Sequence, residues 1–362
     1  MMLEVNEIEI NGYEKVIEAI DTVAGLHSII AVHNTDLGPS VGGTRIYPYN
    51  SKEDALEDAL RLSRGMTYKS AVAGIGLGGG KSVIIADPHT QKTDELLEAF
   101  GQAVDSLQGK YICAEDVGST PQDMEIISRC TPYVAAMTSG QSSGDPSPYT
   151  AWGCFRGIQA VAESLWNTTN LRNRTIAIQG LGSVGAKLAE FLYWQGVRLL
   201  VTDIDEDKIA YAERHFGAER IDPGEFCTSE CDILAPCALG GTINSTSIQQ
   251  LRCRAVAGSA NNQLEEPDLG DQLHRKGILY APDYVINSGG IINASFEFEP
   301  EGYDPRKAVI KVDNIYDTLR TIFEVAYEMG SSPHIVADEI AESKISCSVG
   351  KRQTAVRLEK RA

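Results

Sequence analysis

The sequence has no long apolar run and no surplus of positive charge. Among its 362 residues, no stretch approaches the roughly 18 consecutive apolar residues that a membrane-spanning helix needs. Its 32 lysines and arginines are outnumbered by 50 aspartates and glutamates, giving a formal net charge of −18, whereas nucleic-acid binding asks for a basic face. Residues 1–7 lack the basic and apolar regions of a signal peptide. We therefore expect a cytoplasmic protein that binds neither membranes nor nucleic acid.

The sequence also lacks a recognisable set of metal ligands. Three of its eight cysteines, Cys227, Cys231 and Cys237, lie close together, but no CxxC pair or nearby histidine completes a zinc site. The six histidines are scattered and suggest neither a metal cluster nor a catalytic triad. We expect reduced, buried thiols and no metal.

Two lysines in apolar surroundings, Lys69 and Lys81, are the most informative residues present. They stand 12 positions apart, in the motifs Gly-Met-Thr-Tyr-Lys at residues 65–69 and Gly-Gly-Gly-Lys at residues 78–81. Apolar surroundings remove hydration from a lysine ammonium and lower its pKa, and a second cation nearby lowers it further. Such a lysine typically acts as a base or binds an anion. The alternative is a pair of lysines at strand ends that extend their ammonium groups to water.

The run Gly80-Lys81-Ser82 also resembles part of a phosphate-binding loop. That loop requires a glycine five positions before Gly80, and the residue there is Ile75. Residues 83–88 indicate a buried strand that ends in a turn, not the start of a helix. We therefore exclude a P-loop NTPase.

Turn-forming residues indicate how the chain is divided. Residues 139–148 are the richest run of turn formers and mark a domain boundary or hinge. Before this run, Ser51 and Asp54 predict the cap of a helix that continues to about Gly65. After it, helical patterns are predicted at three places, residues 149–165, residues 305–329 and from about Ile335.

A dinucleotide-binding fingerprint follows in the second half of the chain. A strand at residues 175–179 leads directly into Gly-x-Gly-x-x-Gly at residues 180–185, and a second strand at residues 198–202 ends at Asp203. The glycines allow a pyrophosphate to approach the backbone at a helix N-terminus. A carboxylate at Asp203 can accept both ribose hydroxyls and repels a 2′-phosphate, which favours NAD over NADP. The alternative is a doubly wound domain without nucleotide.

Further strands predict where the rest of the cofactor lies. They are expected at residues 232–235, 255–257 and 278–281, and small or amide residues follow each of them. Ligands of open parallel sheets bind at the carboxyl ends of the strands. The predicted cofactor-binding residues are Gly180, Leu181, Gly182, Ser183, Val184, Gly185, Ala186, Asp203, Thr150, Asn261 and Asn262.

Several motifs together resemble the family of leucine, valine and phenylalanine dehydrogenases, distant relatives of glutamate dehydrogenase. The resemblance covers residues 32–343, and leucine dehydrogenases are the nearest in appearance. The motifs that carry it lie at residues 37–45, 65–69, 78–81, 114–118, 235–240 and 281–287.

The resemblance implies a role for each candidate. Lys69 would pair with the substrate carboxylate, assisted by Gly42, Gly43 and Asn287. Lys81 would be the general base that activates water, and Asp116 would transfer a proton to and from the substrate nitrogen. The expected side-chain pocket consists of four apolar residues, Val41, Ala114, Ile291 and Ala294. Because none of these can pair with a second carboxylate, glutamate is excluded as a substrate.

The expected function is therefore reversible NAD-dependent oxidative deamination of leucine, valine or isoleucine to the 2-oxo acid and ammonia. One alternative is an aromatic L-amino acid (phenylalanine or tryptophan) dehydrogenase on the same scaffold, and another is a nucleotide-binding regulatory protein without catalysis. The resemblance implies a homo-oligomer, either an octamer or a dimer.

The predicted architecture is α/β, with a Rossmann-type dinucleotide-binding domain, an α/β substrate-binding and oligomerisation domain, and a cleft between them. Residues 1–140 would form the substrate-binding domain, residues 141–330 the NAD-binding domain, and residues 331–362 would pack back on the first.

Overall fold

The computed structural model describes residues 3–137 and 142–358, which cluster into two compact units. Unit 1 takes the described residues within Met1–Gly144, Ala294–Pro305 and Ala341–Ala362, and unit 2 those within Asp145–Asn293 and Arg306–Ile340. The predicted boundary between residues 140 and 141 lies outside the described residues.

The C-terminal residues divide between the two units. Residues 341–358 cluster with unit 1, whereas residues 331–340 cluster with unit 2, and the predicted packing of residues 331–362 on the first domain stays a prediction. Two contacts hold the latter part: the His334 ring fills the space that a Cβ at Gly270 would occupy, and Tyr284 Oη donates to Asp338 Oδ1 across 2.7 Å.

Unit 1 contains a mixed six-stranded sheet. The pairs β1–β2, β2–β3 and β3–β5 are antiparallel, and β4 pairs parallel with both β5 and β6. The order across the sheet is β1-β2-β3-β5-β4-β6. The strands are β1 (Glu4–Glu7), β2 (Lys15–Asp21), β3 (Leu26–Asn34), β4 (Ser40–Tyr47), β5 (Gly78–Ile85) and β6 (Tyr111–Glu115).

Unit 2 contains an all-parallel six-stranded sheet in the order β12-β11-β10-β7-β8-β9. The chain builds outward from β7 through β8 to β9 and then returns to β10 on the other side of β7. This reversal is the point at which open α/β sheets bind ligands. The strands are β7 (Thr175–Gln179), β8 (Arg198–Thr202), β9 (Glu219–Arg220), β10 (Ile233–Pro236), β11 (Ala255–Val256) and β12 (Leu279–Tyr280).

Helices connect these strands. They are α1 (Lys52–Ala73), α2 (Asp94–Asp105), α3 (Pro121–Ile127), α4 (Ser147–Trp166), α5 (Gly185–Trp194), α6 (Glu206–Phe216), α7 (Leu269–Arg275), α8 (Asp283–Ile286), α9 (Gly289–Ser295), α10 (Pro305–Met329) and α11 (Pro333–Ser346). Short 3₁₀ segments occupy Pro223–Thr228, Ser247–Gln249 and Phe296–Phe298. Among the described residues, no helix combines the length and apolar character that a bilayer crossing requires.

Helices cover both faces of the unit 1 sheet. On one face, Ala31 and Val83 pack with Ala55 and Ala59 of α1. On the other, Ile84 belongs to a larger apolar core that includes Leu96 and Phe100 of α2. Because side chains alternate along a strand, Lys81 lies on the same face as Val83, the face that α1 covers.

Helix α1 begins as predicted and ends later than predicted. The side chain of Ser51 accepts a hydrogen bond from the Asp54 amide, which caps its first turn. The helix passes through Gly65 and ends at Ala73, where Gly74 adopts φ 61°. Its last turns bury Thr67, Ser70 and Ala71. This tertiary packing outweighs the cost of about 1 kcal/mol for a glycine inside a helix.

Candidate active site

Lys81 is a buried cation in the middle of a sheet. It lies on β5 with 5% of its surface exposed, and its Nζ donates to Asp116 Oδ2 across 2.7 Å. Burial lowers the pKa of Lys81, and the neighbouring Asp116 carboxylate offsets only part of that effect. The lowered pKa that was predicted from the apolar sequence is therefore present, and its cause is desolvation.

Asp116 is ionised at this position because two cations bind it. It follows β6 directly, and the Oδ2 atom that accepts from Lys81 also accepts from Arg45 Nε across 3.1 Å. Burial on its own would raise the pKa of Asp116, but the two cations hold it below the ordinary value. A carboxylate and a lysine with a lowered pKa thus form a hydrogen-bonded pair able to exchange a proton.

The glycines of β4 make room for this pair. A Cβ at Gly43 would lie 2.7 Å from the Asp116 Cβ, and one at Gly42 would lie 1.8 Å from the Gly80 carbonyl oxygen. Tyr111 Oη donates to the Gly42 carbonyl across 2.8 Å. The neighbouring pocket candidates are Val41, which is buried, and Ala114, which is half-buried.

Lys69 lies near the C-terminal end of α1 and is half-buried. The two motifs that carry Lys69 and Lys81 meet where α1 crosses β5. A Cβ at Gly79 would lie 2.0 Å from the Thr67 amide nitrogen, so only glycine allows this approach. Lys69 lies within a helix and Lys81 within a strand. The alternative of two lysines at strand ends that extend their ammonium groups to water therefore does not apply.

Sequence reasoning missed two residues of the site, Arg45 and Asp58. Arg45 Nη1 donates to Asp58 Oδ2 across 2.8 Å, and Tyr49 Oη donates to the same oxygen across 2.6 Å. Arg45 is the last residue of the motif at residues 37–45, and this position in the motif could have indicated that Arg45 matters. Nothing in the sequence pattern, however, relates a strand arginine to the one α1 carboxylate that it contacts.

The glycine-rich loop in unit 2 has the geometry of a dinucleotide site. It joins β7 to α5 at the reversal of strand order, and a Cβ at Gly180 would lie 2.9 Å from the Ala238 Cβ, just beyond β10. A Cβ at Gly185 would lie 1.9 Å from the Gly180 carbonyl oxygen. The chain's own packing therefore requires the first and third glycines.

Gly182 differs from the other two glycines. No atom lies within 4 Å of the Cβ position that it leaves open. Its neighbours Leu181, Ser183, Val184 and Ala186 complete the turn into α5, whose N-terminus has no side-chain cap. Open space beside an uncapped helix N-terminus fits a pyrophosphate, which carries negative charge and needs close backbone approach.

Asp203 lies beside this loop. Its Oδ2 accepts from the Leu181 amide across 2.5 Å and its Oδ1 from the Asp205 amide across 2.9 Å. The carboxylate therefore fixes the loop in addition to the ribose contact predicted for it. The adjacent Ile204 is 98% exposed.

An amide pair lies at the carboxyl end of β11. Asn287 Nδ2 donates to Asn261 Oδ1 across 2.7 Å, while the buried Asn287 Oδ1 has no hydrogen-bond partner among the described residues. Asn262 is exposed with φ 50°. Thr150 on α4 donates to the Pro146 carbonyl, 3.1 Å away. A buried amide oxygen without a partner is costly unless a ligand satisfies it.

The remaining candidates have less defined surroundings. Ile291 and Ala294 are half-buried on α9, and their place in a substrate pocket stays a prediction. All eight cysteines are free, and burial raises the pKa of Cys113, Cys231 and Cys253 to about 12. Within residues 3–137 and 142–358, no group of three His, Cys, Asp or Glu side chains could hold a metal ion.

Two family models match the chain. The Glu/Leu/Phe/Val dehydrogenase dimerisation domain matches residues 11–133, within unit 1. The Glutamate/Leucine/Phenylalanine/Valine dehydrogenase domain matches residues 199–332, most of which belong to unit 2.

Individual relatives match over nearly the whole length. Leucine dehydrogenase of Bacillus cereus is 46% identical, covering 99% of this chain and 98% of the relative. L-tryptophan dehydrogenase of Nostoc punctiforme is 48% identical over 95% of this chain and 97% of the relative. Its crystal structure matches with a TM-score of 0.82 over 93% of this chain and 96% of that one. Valine dehydrogenase of Streptomyces coelicolor is 42% identical over 92% of this chain and 93% of the relative.

Proposed function

This chain belongs to the Glu/Leu/Phe/Val dehydrogenase family, and on that premise we propose that it catalyses reversible, NAD-dependent oxidative deamination of a branched-chain L-amino acid. The products are the 2-oxo acid and ammonia. The observation that carries the proposal is the buried Lys81–Asp116 pair, with 2.7 Å between Nζ and Oδ2. Deamination needs a proton acceptor at nitrogen and a base for water, and this pair supplies one of each.

The first task of the site is to bind the amino acid and deprotonate it. Lys69 pairs with the substrate carboxylate, next to the Gly42–Gly43 backbone, and Asn287 assists. An ammonium cannot release hydride from its carbon, so Asp116 accepts a proton from the substrate nitrogen first. Its low pKa, held down by Lys81 and Arg45, keeps it ionised and ready to accept.

The second task is hydrolysis of the iminium that remains after hydride loss. Lys81 in its neutral form takes a proton from water, and the hydroxide oxygen bonds to the substrate carbon. Asp116 returns its proton to nitrogen and, ionised again, takes the proton of the new hydroxyl group as the carbon–oxygen double bond forms. The carbon–nitrogen bond breaks, ammonia and the 2-oxo acid leave, and Lys81 and Asp116 release their two protons to solvent. The lowered pKa of Lys81 makes its neutral form more accessible than that of an ordinary lysine.

NAD, when bound, supplies the hydride acceptor. The space beside Gly182 and the uncapped start of α5 support binding of its pyrophosphate. We assign the ribose hydroxyls to Asp203, whose negative charge disfavours the 2′-phosphate of NADP. Thr150, Asn261 and Asn262 are the remaining candidates, for the nicotinamide end.

The substrate side chain is the less determined part of the proposal. A branched aliphatic side chain fits the apolar candidates Val41, Ala114, Ile291 and Ala294, and leucine and valine dehydrogenases are among the relatives. The alternative is an aromatic substrate, supported by the 48% identity to L-tryptophan dehydrogenase. One methylene in an apolar pocket discriminates by only about 1–3 kcal/mol, so small changes in the wall decide between them.

The test is NADH formation from each of the 20 L-amino acids with purified protein. Leucine, valine or isoleucine should give the highest kcat/KM. A tenfold or larger preference for phenylalanine or tryptophan would instead establish the aromatic alternative. NAD binding without turnover of any amino acid would support the third candidate, a regulatory nucleotide-binding protein.

We further propose a homo-oligomer, an octamer or a dimer, in which unit 1 makes the subunit contact. The match of residues 11–133 to a dimerisation domain supports this part. Sedimentation velocity at micromolar concentration tests it, and a monomer would contradict it. A cytoplasmic location stays a prediction from the sequence.

A further inference from the structure

Arg45 and Asp58 extend the Lys81–Asp116 pair into a chain of four alternating charges. Arg45 binds Asp116 through Nε and Asp58 through Nη1, at 3.1 and 2.8 Å. All four side chains are at most one quarter exposed. Because both carboxylates accept from cations carried by strands of the sheet, Arg45 on β4 and Lys81 on β5, the arrangement is part of the fold and not a loose surface contact.

We propose that Arg45 and Asp58 are positioning residues, which orient the Asp116 carboxylate and set the charge balance at Lys81 without touching the substrate. The inference rests on the proposed function, because Lys81 and Asp116 are its reacting groups. Arg45 holds Oδ2 of Asp116 toward Lys81, and Asp58 holds the guanidinium of Arg45 in place. Tyr49 fixes Asp58 in turn through its 2.6 Å hydrogen bond.

The two residues act on Lys81 in opposite directions. Arg45 is a second cation near the Lys81 ammonium and lowers its pKa, whereas Asp58 raises it. Each effect on the pKa of Lys81 follows from the sign of the charge and from its position in the series of four alternating charges. Burial lowers the pKa of Arg45, but Asp116 and Asp58 together raise it, so the guanidinium stays charged throughout.

Other titratable groups lie on the elements that pack around Lys81. Lys81 lies on the sheet face covered by α1, with β3 and β4 on either side. The charged groups that act most strongly on the pKa of Lys81 are Asp116, Arg45 and Asp58. These elements also carry His33, Lys69 and, farther along α1 or the strands, Lys52, Glu53, Asp54, Glu57, Arg61, Arg64, Tyr68, His27 and Tyr47. His33 bonds to Thr67 Oγ1 across 2.8 Å, and burial lowers its pKa, so it is neutral where Lys81 titrates. Lys69 is present in the wild type and in every variant below, so its effect on the pKa of Lys81 is common to the pH profiles that are compared.

Three variants test the inference: Arg45→Gln, Asp58→Asn and the control Arg61→Gln. Arg61 also donates to Asp58, across 3.3 Å, but its side chain is 59% exposed and it does not form part of the four-charge chain. The measurement is kcat/KM for oxidative deamination against pH, which rises with pH as Lys81 becomes neutral.

Arg45→Gln should move the rising part of the kcat/KM profile (the rising limb) to higher pH, because the variant loses a cation beside Lys81 and the pKa of Lys81 rises. Asp58→Asn should move it to lower pH, and Arg61→Gln should leave it at the wild-type position. Both Arg45→Gln and Asp58→Asn should also lower kcat by roughly tenfold or more, because a misplaced reacting group is costly. The inference would be overturned if the rising limbs of Arg45→Gln and Asp58→Asn coincided with that of the wild type, or if both moved in the same direction.

Two further measurements keep the test decisive. If Arg45→Gln fails to fold, Arg45→Lys retains the cation, so its limb should stay near wild type while kcat falls. Competitive labelling of Lys81 with trace acetic anhydride, followed by peptide mass spectrometry, follows its titration without turnover. Opposite displacements in labelling with no turnover of any amino acid would refute the proposed function and sustain the charge-balance role. Turnover of an amino acid, with the Lys81 labelling titration of both variants at the wild-type pH, would support the proposed function and refute the charge-balance role.

Discussion

Lys81 lies on β5 and Asp116 directly after β6, two strands of one sheet that are separated by β4, and a 2.7 Å hydrogen bond joins Nζ to Oδ2 between them. The carboxylate reaches the lysine across β4 because Gly43 has no side chain in its path. A buried ammonium with one carboxylate partner is less stable than the same ammonium in water, and this makes its proton easier to remove. This is the property that the proposed role of Lys81 as a general base requires.

Lys81→Ala should lower kcat by about 10²–10⁴-fold, the range expected when a general base is removed. NAD affinity should change little, because the glycine loop and Asp203 that we assign to the dinucleotide belong to unit 2. Steady-state kinetics with leucine and NAD titration by fluorescence measure the two quantities. A variant that retained more than a tenth of wild-type kcat would rule out this role.

The matched control for that variant is Lys92→Ala. Lys92 also lies in unit 1 and donates to a buried carboxylate, Asp123, across the same 2.7 Å. It takes no part in the proposed chemistry, so its loss should reduce thermal stability while kcat stays near wild type. An equal fall in kcat for both variants would indicate that Lys81 matters only for folding.

The pH dependence should have opposite signs in the two reaction directions. Burial lowers the pKa of Lys81, and deamination uses its neutral form, so kcat/KM for the amino acid should rise with pH and level off. The midpoint should fall below the ordinary lysine value of 10.5. Reductive amination uses the protonated form, so kcat/KM for the 2-oxo acid should fall over the same range. A deamination profile that falls with pH would contradict this assignment.

The sequence predicts unit 2 better than it predicts the site in unit 1. In unit 2, β7, β8 and β10 are short apolar runs, each followed by turn residues, and local pattern alone identifies them. The long helix was predicted at residues 305–329, and α10 occupies Pro305–Met329. These elements depend on residues that are close along the chain, so a single sequence is enough.

Unit 1 depends on contacts between distant residues. The end of α1 was predicted at Gly65 because glycine disfavours helix, whereas Thr67 packing on Gly79 extends the helix to Ala73. Likewise, Arg45 meets Asp58 only because α1 covers the face of β4 on which Arg45 lies. No local pattern encodes such a contact, so the sequence predicted roles for Lys81 and Asp116, which stay predictions, and did not point to Arg45 and Asp58, which the structure places beside them.

Two alanine substitutions in the glycine loop should separate folding from cofactor binding. Gly185→Ala places a Cβ 1.9 Å from the Gly180 carbonyl oxygen, so it should destabilise the protein by about 1–3 kcal/mol, as overpacking does. Gly182→Ala meets no protein atom within 4 Å and should leave the melting temperature unchanged while it weakens NAD binding. Thermal denaturation and NAD titration distinguish the two effects. Wild-type NAD affinity in folded Gly182→Ala would mean that the pyrophosphate does not approach this position.

Asp203 offers the sharpest test of cofactor choice, because its carboxylate both holds the loop and faces the predicted ribose position. Asp203→Ala removes the acceptor of the Leu181 amide as well as the charge. Its KM for NAD should rise roughly tenfold or more, since a hydrogen bond to a charged group contributes about 1.5–3 kcal/mol.

Asp203→Asn isolates the charge, because the amide oxygen can still accept from Leu181. The loop should stay in place, and the ratio of kcat/KM for NAD to that for NADP should fall, since a neutral side chain no longer repels the 2′-phosphate. An NAD/NADP ratio equal to wild type in both variants would assign the ribose to another residue. A ratio that falls only in Asp203→Ala would mean that loop geometry, and not charge, excludes NADP. A fall in both, with the KM for NAD raised chiefly in Asp203→Ala, is the result expected if the carboxylate has both tasks.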